Sequence, residues 1–460
     1  MTTAAPMSNA DAAWLHMDQP TNLMVITSAL WFDEPVDWDR TREVLRRRLV
    51  DRFPRFRQRA VEGRTPLSGP HWEDDPRFDL DLHLHRVALP GRGDRAALQA
   101  LVADLMATPL DPSKPLWQWN LVDGYGAGSA IVARMHHCIA DGIALSRVLI
   151  SLTDEAPDPG IAVAPEGRDG GRVDGLIAPV EGALGAARSA ASALAHEAMA
   201  IARHPSELID LAADARDDAE TLAKMLLAPA DPPNPLRGEL GVAQRVAWSA
   251  PISLDAVKEM GHATGTTVND VVLTAVAGAL RHYLRSRNGL VDELTAFIPF
   301  NLRPLDKPLP AELGNRFGLV FLRLPVGIGA RRKRLAEIHR RMEEIKHSPE
   351  GALSYGLLEA IGMAPVQVER RVVEQFTAKA TAVMTNVPGP RQPVYFAGTP
   401  VRGVLVWAPR SGSVPISVAI FSYAGEITVG LMVDAGLVPD PELIIRAFER
   451  EVDALLRLKI

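Results

Sequence analysis

The chain is poor in several things, and each shortage excludes something. It has one cysteine, Cys138, so no intrachain disulfide can form, and a reducing, cytoplasmic setting is the simple expectation. Basic residues are not in excess: 50 Lys and Arg stand against 56 Asp and Glu, for a net charge of −6. That balance offers no footprint for nucleic acid. No apolar run reaches the roughly 18 residues that span a bilayer, so any membrane contact is expected to be peripheral. Met1 to Ala13 lacks the basic start and long apolar core of a signal peptide. No Cys/His cluster has the spacing of metal ligands. What remains is 47% hydrophobic and 23% charged over 460 residues, too long for one ordinary core, so two domains are expected.

The stretch with chemistry in it is Met135-His136-His137-Cys138-Ile139-Ala140-Asp141-Gly142. It follows a short apolar run, 129–134, that reads as a buried strand, and Asp-Gly is a turn signal that ends it. Apolar residues at 145, 148, 149 and 152 then have helical spacing. Two histidines therefore stand at a strand end, with a helix start behind them, which is a rigid place to hold a general base. Neighbours in a strand point to opposite faces, so one histidine can face a crevice while the other packs behind it. The plain alternative is a pair of histidines that only satisfy hydrogen bonds near a turn.

Along the rest of the chain, Asp11 to His16 reads as a short helical entry. Asn22 to Phe32 reads as a strand, and Asp37 to Arg52 as a helix capped by Asp37 and ended by Pro54. Pro115-Leu116-Trp117 leads into a strand expected to form a hairpin with the histidine strand; the tryptophans suit core or a ligand wall. Glu155 to Gly171 and Pro229 to Pro235 read as linkers, enclosing Ala-rich helices at about 180–203 and 206–227 that would pack on the body or rest on lipid. Thr267 and Asp270 resemble a capping box, which leaves Asn269 freer to face a site. Gly351, Gly356 and Gly362 lie in a helical stretch and either leave room for a chain-like ligand or mark loose helix ends.

These residues together resemble the bacterial wax ester synthase/diacylglycerol acyltransferase family, nearly end to end. The marker is His136-His137-Cys138-Ile139-Ala140-Asp141-Gly142, the HHxxxDG pattern, beside Pro115-Leu116-Trp117 and Asn269-Asp270. Pro299 to Pro304, Gly314-Asn315 and Asn386 to Pro390 add to the likeness. HHxxxDG alone indicates the wider superfamily of chloramphenicol acetyltransferase, plant acyltransferases and peptide-synthetase condensation domains. Cys138 and Ile143-Ala144 depart from the family's usual residues without touching the acid–base groups.

The resemblance implies an α/β fold: two chloramphenicol-acetyltransferase-like domains with mixed sheets and an active-site tunnel between them. The expected boundaries are 1–165, a helical crossover over 166–244, and 245–460. It implies transfer of an acyl group from acyl-CoA to a fatty alcohol or diacylglycerol, with no cofactor and no metal. The HHxxxDG residues His136, His137, Asp141 and Gly142 form the implied catalytic set, with His137 as general base. A neutral imidazole with an ordinary pKa of about 6.5 suits that role. Asn269 is the candidate oxyanion donor, and Pro115, Leu116, Trp117 and Asp270 fall on the substrate side. Asp141 is expected in a structural ion pair. Arg52 to Arg57 resembles the corresponding condensation-domain stretch, which makes Arg57 the expected partner. An acyltransferase with an amine or polyketide hydroxyl as acceptor, or a lipid-binding relative without turnover, are the competing readings.

Overall fold

The computed structural model describes residues 4–63, 68–157, 160, 225, 227–303 and 309–458. The Ala-rich helices expected over 180–203 and 206–227 lie outside these residues, save for 225 and 227, as does Pro304. Strand Gly128–His136 is buried at every position, which explains why it reads as a continuous apolar run and not an alternating one. It is the middle strand of a five-stranded mixed sheet in the order Gly403–Trp407, Val25–Phe32, Gly128–His136, Trp117–Tyr125, Leu84–Ala88. The expected hairpin is present: Trp117 stands opposite Met135, and Tyr125 opposite Gly128 at the turn.

The second sheet runs Ile252–Ser253, Glu426–Asp434, Ile416–Tyr423, Ala382–Pro388, Leu294–Asn301, Phe317–Leu324, with Gln244–Trp248 paired to Glu426–Asp434. Ala382–Pro388 is parallel to both of its neighbours and the other pairs are antiparallel, so this sheet is also mixed. Helix Val268–Ser286 is buried continuously from Asp270 to Leu280. It packs between helices Arg331–Lys346, Leu254–Thr264 and Pro441–Leu456. Thr267 and Asp270 form the expected capping box at its start.

The division at 245 is not clean. Strand Gly403–Trp407 belongs to the second half in sequence but pairs with Val25–Phe32 at the edge of the first sheet. Its Trp407 is fully buried and meets Trp248 at 6.0 Å between ring centroids, so the two sheets share packed aromatic surface. Between Asp37 and Arg52 the chain is helical, as expected, but it passes from an α-helix, Trp38–Leu45, into a wider π-helical turn, Arg46–Val50. Pro54–Phe56 is a short 3₁₀ turn, and the strand after it covers Gln58–Val61.

The short helix Asn9–His16 positions the site. Ser8 caps it by accepting the Asp11 N–H, and Ala10 through Trp14 are all buried. It packs on helix Glu350–Ile361 of the second half. Here the glycines are used for close approach. A Cβ on Gly362 would lie 1.9 Å from the Asn9 carbonyl oxygen, and one on Gly351 would lie 2.9 Å from the Phe300 ring. Neither leaves room for a chain-like ligand. Gly362→Ala is expected to push the N-terminal helix off its seat and cost about 1–3 kcal/mol, read as a lower urea midpoint. An unchanged midpoint would contradict this packing.

Candidate active site

Backbone hydrogen bonds from both neighbouring strands pin the two histidines. The His137 N–H donates to the Met24 carbonyl at 2.7 Å and the His136 N–H to the Leu116 carbonyl at 2.9 Å. The His137 ring is 4% exposed. It stacks on Trp14 with ring centroids 4.0 Å apart and 17° between planes, and Phe317 lies 5.4 Å away on a tilted plane.

The hydrogen bonds around Asn315 decide the tautomer of His137. Asn315 Nδ2 donates to Asp11 Oδ1 at 2.7 Å and to the His137 carbonyl at 2.8 Å, so both of its hydrogens are taken. Asn315 Oδ1 then faces His137 Nδ1 at 2.9 Å, and an oxygen acceptor there requires Nδ1–H. Nε2 keeps its lone pair. Burial pushes the His137 pKa down from 6.5 to about 4, so the ring is neutral at pH 7.

His136 is the opposite tautomer. The Cys138 N–H donates to His136 Nδ1 at 3.2 Å, which puts the ring hydrogen on Nε2, 3.6 Å from Asp18 Oδ1. Cys138 is buried and its thiol is pushed well above its ordinary value by burial. It stays protonated, which is unsuited to a nucleophile.

Asp141 caps helix Gly142–Ser151 by accepting the Ala144 N–H at 2.8 Å. Its other oxygen accepts the Arg316 N–H at 3.0 Å and Arg303 Nη2 at 3.2 Å. The expected pairing with Arg57 is therefore corrected: the partner is Arg303, and Arg57 Nη1 donates to the Val50 carbonyl. The reason lies in the seam between the halves. Ala140 bridges to Gly314, whose N–H donates to the Ile139 carbonyl at 3.1 Å. Asp141 thus points into the second half, while the Arg57 guanidinium closes the Arg46–Val50 turn. Gly142 is the first residue of the helix, and a Cβ added there would meet nothing within 4 Å, so open space lies beside the Asp141 cap.

The residues expected on the substrate side make framework contacts. Pro115, Leu116 and Trp117 are buried. The Leu116 carbonyl holds His136, and the Trp117 indole donates to the Phe56 carbonyl at 2.9 Å while stacking on His83 at 4.4 Å. Asp270 is buried, closes the capping box and accepts from His339 Nδ1 at 2.8 Å. The alternation of the tryptophans and the Thr–Asp spacing are satisfied by core and cap. Asn269 Oδ1 accepts from Asn386 Nδ2 at 3.1 Å. No hydrogen bond joins Asn269 to the His137 network among the described residues.

A sequence profile of the wax ester synthase/diacylglycerol acyltransferase catalytic domain matches residues 7–272, and the profile of the C-terminal domain matches 313–456. The chain belongs to the wax ester synthase/diacylglycerol acyltransferase family. A Mycobacterium tuberculosis protein named as a probable diacylglycerol O-acyltransferase is 30% identical over 421 residues, 88% of this chain and 84% of that one. Among solved structures, the wax ester synthase/diacylglycerol acyltransferase of Marinobacter aquaeolei superposes with a TM-score of 0.69 at 22% identity, covering 98% of both chains. The first condensation domain of the CDA synthetase superposes at 0.61 and 16% identity, covering 99% of this chain and 95% of that one. These likenesses carry the fold: a two-domain architecture shared by wax ester synthases and condensation domains.

In this family member, Asp11, Trp14, Arg303 and Asn315 complete the site, and sequence reasoning assigned none of them a role. Arg303 and Asn315 did lie inside stretches singled out as signatures, and Asp11 and Trp14 inside the helical entry. What was missing is their meeting: Asn315 is 178 residues from His137 and 304 from Asp11. Asp141→Ala removes a helix cap and half of a buried ion pair, for an expected loss of about 3–5 kcal/mol of stability. Arg303→Met is expected to cost a comparable amount, whereas Arg57→Met loses one hydrogen bond, about 1 kcal/mol. Chemical denaturation of the three variants checks this; equal losses for the two arginines would point back to Arg57.

Proposed function

We propose that this protein transfers the acyl group of a long-chain acyl-CoA to the hydroxyl of a fatty alcohol or diacylglycerol, with His137 as general base. The observation that carries the reading is the fixed Nδ1–H tautomer of a buried neutral imidazole, whose Nε2 lone pair is available to a hydroxyl. Nε2 removes the acceptor's proton as its oxygen attacks the thioester carbonyl carbon. The C–S bond then breaks, and the imidazolium returns the proton to the CoA thiolate. Acyl-CoA supplies the activated acyl group, so the reaction as written needs no cofactor and no acyl-enzyme. The oxyanion of the tetrahedral intermediate needs a donor. Asn269 is our candidate, since Asn386 holds its amide oxygen and leaves the amide nitrogen as the end able to donate.

No described helix is long and apolar enough to cross a membrane, and we place contact with a membrane or lipid inclusion at the protein surface. Wax ester and triacylglycerol formation use the same base and the same thioester, so the acceptor pocket decides between them. The test is CoA release from palmitoyl-CoA with hexadecanol or dipalmitoylglycerol offered in parallel. Release is expected to require an acceptor and to fall roughly 10²–10⁴-fold in His137→Ala; the faster acceptor names the product. Acceptor-independent release would make the protein a thioesterase. No release with either lipid from folded protein would move the acceptor to another nucleophile.

A further inference from the structure

We propose that Asp11 is a positioning residue for this acyl transfer: through Asn315, its carboxylate holds His137 as Nδ1–H and compensates the positive charge the imidazole gains on taking the acceptor's proton. The proposal rests on His137 being the base. Asp11, Asn315 and His137 are each 5% exposed or less. Asp11 Oδ1 accepts the Asn315 backbone N–H at 3.0 Å as well as its amide at 2.7 Å. The carboxylate therefore fixes Asn315 at two points, and Asn315 fixes the ring.

A purely structural link would not need a charge. An asparagine at position 11 offers the same acceptor oxygen without the cost of burying a carboxylate. That cost is visible: burial raises the Asp11 pKa from 3.8 to about 6, against the hydrogen bonds that lower it. No cation stands at ion-pair distance from Asp11 among the described residues. The other carboxylate near the base, Asp141, favours the imidazolium through space but is already paired with Arg303. Asp11 is thus a buried carboxylate without an ion-pair partner among the described residues, with only the more distant Arg55 charge acting on it, behind a base that must become positive in a buried site. The helix adds a second device one turn on: Trp14 lays its ring on the imidazole, and an aromatic face attracts a cation.

The other charged or titratable groups facing Asp11 come from three elements. Arg55, in the 3₁₀ turn, lowers its pKa. Cys138, past the histidine strand, is held as the thiol. Tyr355, on helix Glu350–Ile361, donates to Glu359 at 2.7 Å and is pushed above its ordinary value. As pH falls, Asp11 takes its proton first, near 6, and His137 only near 4. On this proposal the acid limb of the rate profile is expected to follow Asp11.

The experiment compares wild type, Asp11→Asn and His137→Ala, reading kcat and KM for palmitoyl-CoA across pH 4–8 together with the melting temperature at pH 7. Asp11→Asn is expected to lower kcat roughly 10–100-fold, the scale of lost outer-shell partners. KM should hold, the melting temperature should hold or rise, and the limb near pH 6 should disappear. Asp11→Ser, which also keeps an acceptor without the charge, is read in the same way should Asp11→Asn not fold. A variant that keeps the limb near 6, or loses rate only in step with its melting temperature, overturns the proposal. Loss of turnover in His137→Ala alongside wild-type kcat in Asp11→Asn would refute Asp11's role alone, whereas an active His137→Ala would refute the base assignment beneath it.

Discussion

Two buried carboxylates, Asp141 and Asp11, hold the active-site seam closed, one capping the helix after the histidines and the other in the first turn of the N-terminal helix. Asp141 takes Arg303 and the Arg316 N–H; Asp11 takes the backbone and side chain of Asn315. Between them runs Gly314, in the left-handed region at φ +84°, a conformation that glycine adopts without strain. The turn there lets residues 314–316 lie along 139–141. Everything that the proposed role of His137 as base requires depends on this contact: the tautomer, the ring orientation and the partner on its far side.

The same burial that orients the imidazole lowers its proton affinity, and the two buried groups pull stability in opposite directions with pH. For His137 the unfolded chain binds the proton more readily, so the stability it contributes is present above 6.5 and lost as pH falls toward 4. For Asp11 the folded state binds the proton more readily. Its carboxylate is a burden above about 6 that is relieved as pH falls toward 3.8. The windows overlap and the shifts are of similar size, so the site's net effect on acid stability is smaller than either part. Under the proposed mechanism, the charge that is costly to bury is the one placed behind the base.

Local features were legible in the sequence. The apolar run before His136, the Asp-Gly turn, the hairpin with Trp117–Tyr125 and the Thr267–Asp270 cap all follow from spacing and turn chemistry within a few residues. Pro115-Leu116-Trp117 and Asp270 were legible as motifs, but their framework contacts were not. A buried tryptophan that stacks on His83 and a capping carboxylate leave the same sequence trace as residues facing a ligand. Arg57 was wrong for a different reason. The partner of Asp141 comes from a loop 162 residues away, and no periodicity carries information across that distance. The exchange of strand Gly403–Trp407 into the first sheet was unreadable on the same ground. Gly351 and Gly362 were seen as small, but what presses on them, Phe300 and Asn9, is known only once the halves are packed.

The central claim is that Asn315 holds His137 as Nδ1–H, leaving Nε2 to act on the hydroxyl. Nitrogen-15 NMR of the His137 ring in the wild-type protein at pH 7 tests it most directly. The account predicts a protonated Nδ1 bonded to Asn315 and a pyridine-like, unprotonated Nε2. An Nε2–H tautomer, or a doubly protonated ring at that pH, would contradict it.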